Sequence, residues 1–328
     1  MRTALITNPQ EIRDLRPAWR CTDALGTASI FTSPEWCQTA WRCLPELGLP
    51  RLLIAQDRHE HVQAILPLSA RSGALVCAGS PLGDEHDLRV HSDAASTPIG
   101  RGILAALESY ARTEGRVQLR DLRDGGVLAR AANTTPGCPA PLFRLNPSTM
   151  GTDAPPWLLG GSPRRRRTLT RHRRALDRLG AVTVDRVADP QQLHDAVARF
   201  VPDRLRAWRQ RGRLHQLPDG DRHPQFAEFL ATAAAALAHR GHCFLNRLLL
   251  DGRALAQALY FRVGCADLLY MATYEPDFSR YSPSHLLLTE STATAAREGI
   301  TMIELGRGDE QYKFDLGAEP RYLRDIIL

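Results

Sequence analysis

The chain contains almost no lysine. Lys313 is the only lysine among the 42 lysine and arginine residues of the 328-residue sequence. Lysine carries a compact, strongly hydrated ammonium group, whereas arginine carries a planar guanidinium group. A single lysine that persists among so many arginines indicates a position that requires an ammonium group, and Lys313 is therefore our first candidate for chemistry. The alternative is chance retention of one lysine on the surface.

Cysteine motifs and long apolar runs are also absent. The seven cysteines are scattered and include no Cys-x-x-Cys pair, so neither a zinc site nor a disulfide framework is supported and a reducing compartment is favoured. No segment approaches the roughly 20 apolar residues that span a bilayer, and the first residues lack the apolar core of a secretory signal. We therefore expect a cytoplasmic protein without a membrane span.

What the chain does have is length, an ordinary apolar content and positive charge. With 328 residues, 43% of them apolar, two domains with their own cores are expected. Glycine and proline cluster between residues 145 and 161, and this break divides the chain into predicted domains 1–150 and 151–328. The net charge of +6 favours anionic partners such as nucleic acid, nucleotides or phosphorylated substrates.

The two halves of the chain show the same order of predicted elements: a hairpin, a further strand, a helix and a last strand. This order predicts an α+β fold made of two related units, each a mixed, mostly antiparallel sheet flanked by helices. The hairpins are 51–55 with 62–68 and 243–248 with 255–261, the further strands are 74–78 and 267–273, the helices are 102–112 and 283–297, and the last strands are 117–122 and 300–305.

Helix starts in the second half are marked by a capping side chain followed by proline, which needs no N–H at the first helical position. These pairs are Ser162-Pro163, Asp189-Pro190 and Ser282-Pro283. Together with apolar periodicity they predict helices over 163–179, 190–212, 224–239 and 283–298.

The helix predicted over 163–179 separates apolar from basic residues. Leu169, Leu176 and Leu179 share one predicted face. Arginines recur three and four residues apart on the opposite face, over roughly 21 Å of helix. Because like charges so arranged repel, we expect an anionic partner there, such as the phosphates of tRNA; the alternative is a solvated face paired with acids of the other domain. The predicted RNA-binding residues are Arg164, Arg167, Arg171, Arg174 and Arg178.

The segment after the predicted strand 267–273 leads into a helix that begins near Pro283. Free N–H groups at a helix N-terminus favour anions, so a phosphate group of a donor substrate is predicted to bind here. The residues predicted to hold it are Arg280, Ser282, Ser284 and Arg307.

The last strand of the second half carries a carboxylate among apolar neighbours. Burial would raise the pKa of Glu304, as a general base requires; the alternative is a structural acid satisfied by Arg307 or by backbone N–H groups. The turn Gly306-Arg307-Gly308 then brings further polar groups to the end of this strand, where they could protonate a leaving group or stabilise an oxyanion. The predicted catalytic residues are Glu304, Asp309, Tyr312 and Lys313.

Acids and a histidine share one loop of the first half. Asp84, His86 and Asp87 could be imagined as metal ligands, but no second ligand cluster accompanies them and we reject a metal site. We expect Asp84 and Asp87 instead to recognise a cationic acceptor, together with Tyr274.

The motifs of the second half, in their order, resemble those of GNAT-superfamily acyltransferases of the cellulose-biosynthesis-associated (CelD-like) type, which are related to the Fem-type aminoacyl-tRNA-dependent peptidyltransferases. The resemblance rests on the hairpin around Asp251-Gly252-Arg253, Tyr274-Glu275-Pro276-Asp277-Phe278, Ser282-Pro283, Glu304-Leu305-Gly306-Arg307-Gly308 and Tyr312-Lys313, preceded by Phe31-Thr32-Ser33-Pro34-Glu35-Trp36, the arginine-rich helix and Arg206-Ala207-Trp208.

This resemblance implies tandem GNAT-like domains and acyl transfer to an amine, at the C-terminal domain or between the two. The family's Tyr-Lys pair falls on Tyr312 and Lys313. One departure is important: acetyl-CoA-dependent relatives carry a glycine-rich loop for the CoA pyrophosphate, whereas residues 280–285 contain no glycine.

The leading hypothesis is therefore an acyltransferase that moves an aminoacyl or acyl group onto a small-molecule or peptide amine by direct attack, with no tightly bound cofactor. Aminoacyl-tRNA is favoured as donor over acetyl-CoA or another acyl-CoA. A non-catalytic nucleic-acid-binding or polysaccharide-assembly factor is the further alternative. The residues do not indicate an oligomeric state.

Overall fold

The computed structural model describes residues 1–22, 29–91, 96–132, 134–144, 163–216, 223–315 and 318–328. The chain forms two compact units, the first made of Met1–Pro139 with Arg321–Leu328 and the second of Ala140–Pro320. The predicted linker 145–161 lies outside the described residues.

The strands are β1 (Arg2–Ile6), β2 (Leu49–Gln56), β3 (Val62–Arg71), β4 (Ala74–Cys77), β5 (Arg89–Val90), β6 (Arg116–Leu122), β7 (Thr135–Pro139), β8 (Leu142–Arg144), β9 (Val182–Val187), β10 (Cys243–Leu250), β11 (Arg253–Val263), β12 (Ala266–Tyr274), β13 (Met302–Glu304) and β14 (Tyr322–Ile327). The helices are α1 (Pro9–Asp14), α2 (Arg16–Cys21), α3 (Pro34–Cys43), α4 (Ser96–Thr113), α5 (Val127–Ala131), α6 (Pro163–Asp177), α7 (Pro190–Gln210), α8 (Phe226–Ala238), α9 (Pro283–Arg297) and α10 (Gln311–Asp315).

The sheet of the first unit has the order β1-β2-β3-β4-β6-β14-β7, and β5 pairs with β3. The predicted hairpin is confirmed as β2 and β3, which pair antiparallel with Leu53 opposite Leu66. Both side chains are buried and pack in one core with Ile103 and Leu107 of α4. Alternating apolar residues thus give the strands, and the apolar face of α4 covers them.

The C-terminal strand belongs to the first unit, not to the second. β14 pairs antiparallel with both β6 and β7, and Leu323 and Ile326 are buried in that sheet. The compact units therefore divide at Pro139/Ala140, whereas the sequence places the domain boundary at residue 150 and the last residues in the second domain. This difference arises because β14 pairs with strands about 200 residues away, for which local sequence patterns carry no signal.

The sheet of the second unit has the order β8-β13-β12-β11-β10-β9. Its hairpin, β10 with β11, is also confirmed, with Leu245 opposite Leu259. Helix α9 packs on this sheet through Leu286 and Leu287, which share a core with Phe244. The observed folds are therefore the mixed sheets flanked by helices that the element order predicts.

Polar contacts also fasten α9 to the sheet. The amide of Asn246 on β10 donates to the hydroxyl of Ser291 over 2.9 Å. At the end of α9, the carboxylate of Glu298 binds the guanidinium groups of Arg186 and Arg262. Burial would raise the pKa of Glu298, but these two guanidinium groups lower it below its ordinary value. The helix that carries the predicted donor site is thus held along its length.

Two helix starts can be compared with the sequence. The side chain of Asp189 accepts a hydrogen bond from the backbone N–H of Gln192, so the cap of α7 is confirmed. Ser282 does not cap α9 with its side chain, and that prediction is wrong. Ser162 lies outside the described residues. Of the helices in the described ranges, none is long and apolar enough to cross a lipid bilayer.

Candidate active site

Two parallel strands of the second unit part from each other at the predicted site. β12 pairs with β13 only from Ala266 to Leu268, and Leu268 lies opposite Glu304. β12 then continues to Tyr274, while the chain beyond Glu304 turns away. Parallel strands that separate in this way open a cleft lined by backbone groups that no neighbouring strand satisfies.

Glu304 is the last residue of β13 and is buried, as the sequence predicts. Its strand is fixed on both sides because β13 also pairs antiparallel with β8, where Leu142 lies opposite Glu304. After Glu304 the chain turns at Gly306 and Gly308, which have φ angles of +68° and +104°. These angles lie in the region that favours glycine and explain why two glycines stand in this turn.

The ammonium group of Lys313 is buried inside this turn. Only 2% of Lys313 is exposed, and its Nζ donates to the backbone carbonyls of Gly306, Arg307 and Gly308 over 3.3, 2.7 and 3.1 Å. The carboxylate of Glu310 lies 2.9 Å from the same nitrogen. Chance retention on a surface is therefore wrong, and Glu310, which sequence reasoning missed, is a partner of Lys313.

Tyr312, next to Lys313, packs its ring against the imidazole of His285 at a centroid distance of 5.9 Å. Burial raises the pKa of the Tyr312 hydroxyl, the Glu310 carboxylate raises it further, and the Arg204 guanidinium opposes both. The hydroxyl therefore remains protonated at neutral pH, as a proton donor must. Asp309, also predicted as catalytic, is exposed in the same loop.

The predicted donor-binding segment forms a short 3-10 helix, Pro276–Tyr281, that leads directly into α9. Ser282 joins the two with φ +52° and ψ +50°, and its backbone carbonyl accepts the N–H groups of His285 and Leu286. Arg280 is exposed with its guanidinium 4.8 Å from the Tyr281 ring centre, and Ser284 is half-buried in the first turn of α9. Arg307 is half-buried in the turn after β13.

Ser282→Gly is expected to stabilise the protein by about 0.5–1 kcal/mol. A non-glycine residue in the left-handed region costs roughly 1–2 kcal/mol, which glycine relieves. The greater freedom of glycine in the unfolded chain offsets roughly 0.5–1 kcal/mol of this stabilisation. Urea unfolding of the variant measures the change. Ser284→Gly is the matched control. Ser284 lies two residues later, inside α9, and its replacement by glycine is expected to destabilise the protein. Destabilisation by Ser282→Gly as well would contradict the argument.

The arginine-rich helix is present as α6, and the five predicted arginines are all exposed, four of them on α6 and Arg178 directly after its end. Within the described ranges, no carboxylate forms an ion pair with any of the five. The apolar face is narrower than predicted: Leu169 and Leu176 are buried, but α6 ends at Asp177 and Leu179 is 51% exposed. The grouping of Leu179 with that face is therefore wrong, because the helical periodicity stops before it.

Helix α6 lies beside the predicted donor-binding segment. His172 forms a hydrogen bond with the backbone of Tyr281, and α6 packs against the 3-10 helix and against α9. On the inward side, Arg173 binds the carboxylates of Asp177 and Glu290. The unpaired arginine row and the α9 N-terminus thus belong to neighbouring elements of one unit.

A shallow polar pocket opens at the ends of β11 and β12, bordered by Tyr274. Thr273 and Gln257 lie opposite each other on these strands. The Thr273 hydroxyl is buried and, within the part of the chain described, has no hydrogen-bond partner. A buried polar group without a partner is costly unless a ligand or water satisfies it.

Charged residues of α7 and the acid directly after β12 complete this pocket. Glu275 binds the guanidinium groups of Arg206 and Arg253 over 3.2 and 3.3 Å, and Asp203 lies 3.3 Å from Arg206. Burial would raise the pKa of Glu275, but the two arginines lower it below its ordinary value. Sequence reasoning named Tyr274 and missed these residues. Glu275, the acid that directly follows Tyr274, was the signal in the sequence that could have pointed to them.

Trp208 is half-buried. The guanidinium groups of Arg204 and Arg211 lie 5.3 and 5.0 Å from its ring centre, and Arg211 also lies 4.6 Å from the ring of Tyr274. These contacts stack cations on aromatic faces. Arg204, Trp208 and Arg211 are spaced four and three residues apart, which is the pattern of one helix face.

The acids predicted to recognise the acceptor lie in the first unit. Asp87 is half-buried, and its carboxylate accepts the backbone N–H groups of Leu88 and, at the start of α5, of Val127 and Leu128. Burial raises its pKa although these hydrogen bonds act in the opposite direction. Such bonding indicates a structural role for Asp87, while Asp84 is half-buried. In the described ranges, no three histidine, cysteine or acidic residues come together as metal ligands.

Comparisons with known proteins agree with this geometry. Residues 163–314 match the family model described as an acetyltransferase (GNAT) domain. Among curated proteins, none matches the sequence significantly. The solved structure of FemX is similar over 100% of this chain and 98% of that chain, with 12% identity and a TM-score of 0.63.

Two further solved structures are similar over most of their length. The C-terminal domain of a putative lysylphosphatidylglycerol synthetase from Agrobacterium fabrum has 12% identity and a TM-score of 0.55, and covers 89% of this chain and 90% of its own. L-PGS from Bacillus licheniformis has 11% identity and a TM-score of 0.52, with coverages of 90% and 91%. At such identities the likeness shows the fold.

The chain therefore has a tandem GNAT-like fold of the kind also found in FemX, and its second unit contains the segment that matches the acetyltransferase domain. This combination supports acyl or aminoacyl transfer as the general class of reaction.

Proposed function

We propose that this protein transfers an aminoacyl group from aminoacyl-tRNA to an amine acceptor. The finer resemblance to the cellulose-biosynthesis-associated type and the cytoplasmic location are part of the same proposal. The observation that carries it is the row of four exposed arginines on α6, continued by Arg178 directly after the helix, which has no carboxylate partner in the described ranges and lies beside the donor-binding segment against which α6 packs.

The chemistry follows from the groups at the end of β13. A neutral amine attacks the carbonyl carbon of the donor ester, the new C–N bond forms, and the C–O bond to the leaving ribose oxygen breaks. Glu304 accepts the proton lost by the amine, directly or through Asp309, and the protonated Tyr312 hydroxyl donates a proton to the leaving oxygen. We assign Lys313 to the same site.

We propose that the donor end binds at the start of α9. The backbone N–H of Ser284, the hydroxyls of Ser282 and Ser284, and the guanidinium groups of Arg280 and Arg307 favour a phosphate group of the donor. The arginine row would continue this contact along the RNA backbone, with about one guanidinium group bound to each phosphate.

The acceptor is proposed to be a small-molecule or peptide amine. Tyr274 borders a pocket in which the buried hydroxyl of Thr273 lacks a partner, so a small polar group of the acceptor is expected to bind there. Asp84 and Asp87 stay predictions for acceptor recognition. An acceptor would compete for the Asp87 carboxylate with the backbone N–H groups that already bind it.

An acyl-CoA-dependent N-acetyltransferase is the second candidate, favoured by the match to the acetyltransferase domain. The lack of glycine before α9 is a weaker objection than the sequence indicates, because Ser282 already adopts a left-handed backbone there. A compact turn in front of the helix thus forms without glycine.

The two donors are separated by one transfer assay. Purified protein receives radiolabelled acetyl-CoA or a pool of labelled aminoacyl-tRNAs with a mixed-amine extract, each with and without ribonuclease. Transfer from aminoacyl-tRNA that ribonuclease abolishes is the expected result. Ribonuclease-resistant transfer from acetyl-CoA would replace the proposed donor with the second candidate, and absence of transfer from both would favour a non-catalytic binding protein.

A further inference from the structure

The ammonium group of Lys313 is fully engaged by its own loop. An ammonium group has three N–H donors, and four acceptors surround this one: three successive backbone carbonyls, of Gly306, Arg307 and Gly308, and the Glu310 carboxylate. A substrate oxygen could bind this nitrogen only by displacing one of them. Lys313 is therefore arranged to hold the turn.

The direction of these carbonyls determines where the neighbouring N–H groups point. In a trans peptide the C=O and the following N–H lie in one plane and point in opposite directions. The peptides after Arg307 and Gly308 are trans, and both carbonyls point at Lys313 Nζ. The N–H groups of Gly308 and Asp309 consequently point away from Lys313, and neither has a hydrogen-bond partner in the described part of the chain.

This arrangement also explains why the residue is lysine. Three carbonyls that converge on one point are matched by an ammonium, whose donors spread from a single nitrogen. A guanidinium distributes its five donors over three nitrogens in one plane and could not satisfy the same set without opening the turn. The chain reaches this shape through the positive φ angles of Gly306 and Gly308.

We propose that Lys313 is a positioning residue, which folds the 306–310 loop so that the backbone N–H groups of Gly308 and Asp309 bind an anionic oxygen of the donor. This inference rests on the proposed function, because it assigns a role within the same site. The oxygen is either a donor phosphate oxygen or the carbonyl oxygen that becomes negative when the amine attacks.

The first test uses hydrogen–deuterium exchange and needs no substrate. In Lys313→Met and in Lys313→Arg, the hydrogen-bonded amides on either side of the loop, those of Leu305 and of residue 313, are expected to exchange at least about tenfold faster than in the wild type, because the carbonyls that orient this loop lose their donor. Arg280→Met, which removes a cation from the neighbouring exposed segment, is the matched control and should leave the loop unchanged. Unchanged exchange in both Lys313 variants would overturn the proposal.

The second test measures turnover with whichever donor the transfer assay identifies. If the loop binds the reacting carbonyl oxygen, Lys313→Met and Lys313→Arg are expected to lower kcat by about 100-fold or more. If it binds a donor phosphate oxygen, both variants are expected to raise the donor KM, and in either case the acceptor KM stays unchanged. A lysine that touched the substrate directly would be partly replaced by arginine. Retention of most activity in Lys313→Arg would therefore also overturn the proposal.

A double-mutant cycle identifies the loop as the intermediary. Gly308→Ala keeps Lys313 but adds a Cβ at φ +104°, where it would approach the Glu310 carboxylate to 2.5 Å. If both residues act through the same loop, the losses in Lys313→Met and Gly308→Ala should not add in the double variant. Additive losses would contradict the proposal.

Binding of inorganic pyrophosphate separates the two sources of the anionic oxygen. Weaker binding in Lys313→Met assigns a phosphate oxygen, whereas lost turnover with unchanged binding assigns the reacting carbonyl oxygen.

If Lys313→Met does not fold, Glu310→Gln provides a milder variant. Its exchange is expected to lie between that of the wild type and that of Lys313→Arg, and exchange at the wild-type rate would count against the proposal. A wild type that transfers nothing would refute the proposed function, and the exchange data would still decide the role of Lys313.

Discussion

Tyr312→Phe is expected to lower kcat by about 100- to 1,000-fold and to leave the acceptor KM nearly unchanged. A positioned proton donor contributes a factor of this order, and phenylalanine removes only the hydroxyl while keeping the ring that packs against His285. The raised pKa of Tyr312 keeps this hydroxyl protonated through neutral pH. Steady-state kinetics of the purified variant measures the effect.

The same hydroxyl predicts the alkaline limb of the pH–rate profile. A group that must be protonated loses activity as pH rises through its pKa, and here the pKa lies above the ordinary tyrosine value of about 10. In the wild type this loss is therefore expected only above about pH 10.

Tyr322→Phe, which removes an exposed hydroxyl from the first unit, is the control for Tyr312→Phe and should behave as the wild type. A Tyr312→Phe variant with near wild-type kcat would remove Tyr312 from the mechanism.

Neutralising the arginine row is expected to weaken RNA binding by about 100-fold at moderate salt. Each phosphate contact releases about 0.9 counterion from duplex nucleic acid, so the loss of three contacts makes the slope of log affinity against log salt less steep by about 3. The triple variant Arg167→Gln, Arg171→Gln and Arg174→Gln tests this, because all three side chains are exposed on α6 without carboxylate partners in the described ranges. Fluorescence anisotropy with labelled tRNA over a salt series gives both quantities.

The matched control changes the same number of charges elsewhere. Arg58→Gln, Arg101→Gln and Arg112→Gln lie at exposed positions of the first unit and reduce the net charge equally. If both triple variants lose the same affinity, the effect comes from overall charge and the row on α6 has no special role. If neither loses affinity, tRNA is not recognised through these residues.

Local patterns in the sequence were sufficient for most elements of the fold. Alternating apolar residues on either side of short polar turns predict both central hairpins, and these turns are local events that need no distant partner. The arginine row could be placed on one face for the same reason, since its spacing depends only on helical geometry. Leu179 was placed wrongly because periodicity does not show where a helix ends.

The candidate site could be predicted in position but not in its contacts. The sole lysine and the Gly-x-Gly turn draw attention to residues 304–313, yet nothing in the sequence shows that three carbonyls and Glu310 converge on Lys313. Thr273 lies on β12, Glu275 directly after it and Arg206 on α7, so their meeting depends on packing. Ser282 shows a related failure, because a capping residue type does not specify the backbone conformation that the packed helix requires.

The sequence by itself determined the class of fold, the exposed basic face of α6 and the segment in which chemistry is expected, because periodicity, turn residues and composition act over a few neighbouring residues. Tertiary structure alone decided that β14 completes the first sheet and that β12 and β13 part at Glu304. It also decided that Lys313 donates to its own loop. These outcomes depend on contacts between residues far apart in the chain, and such contacts form only when whole elements pack and exclude water.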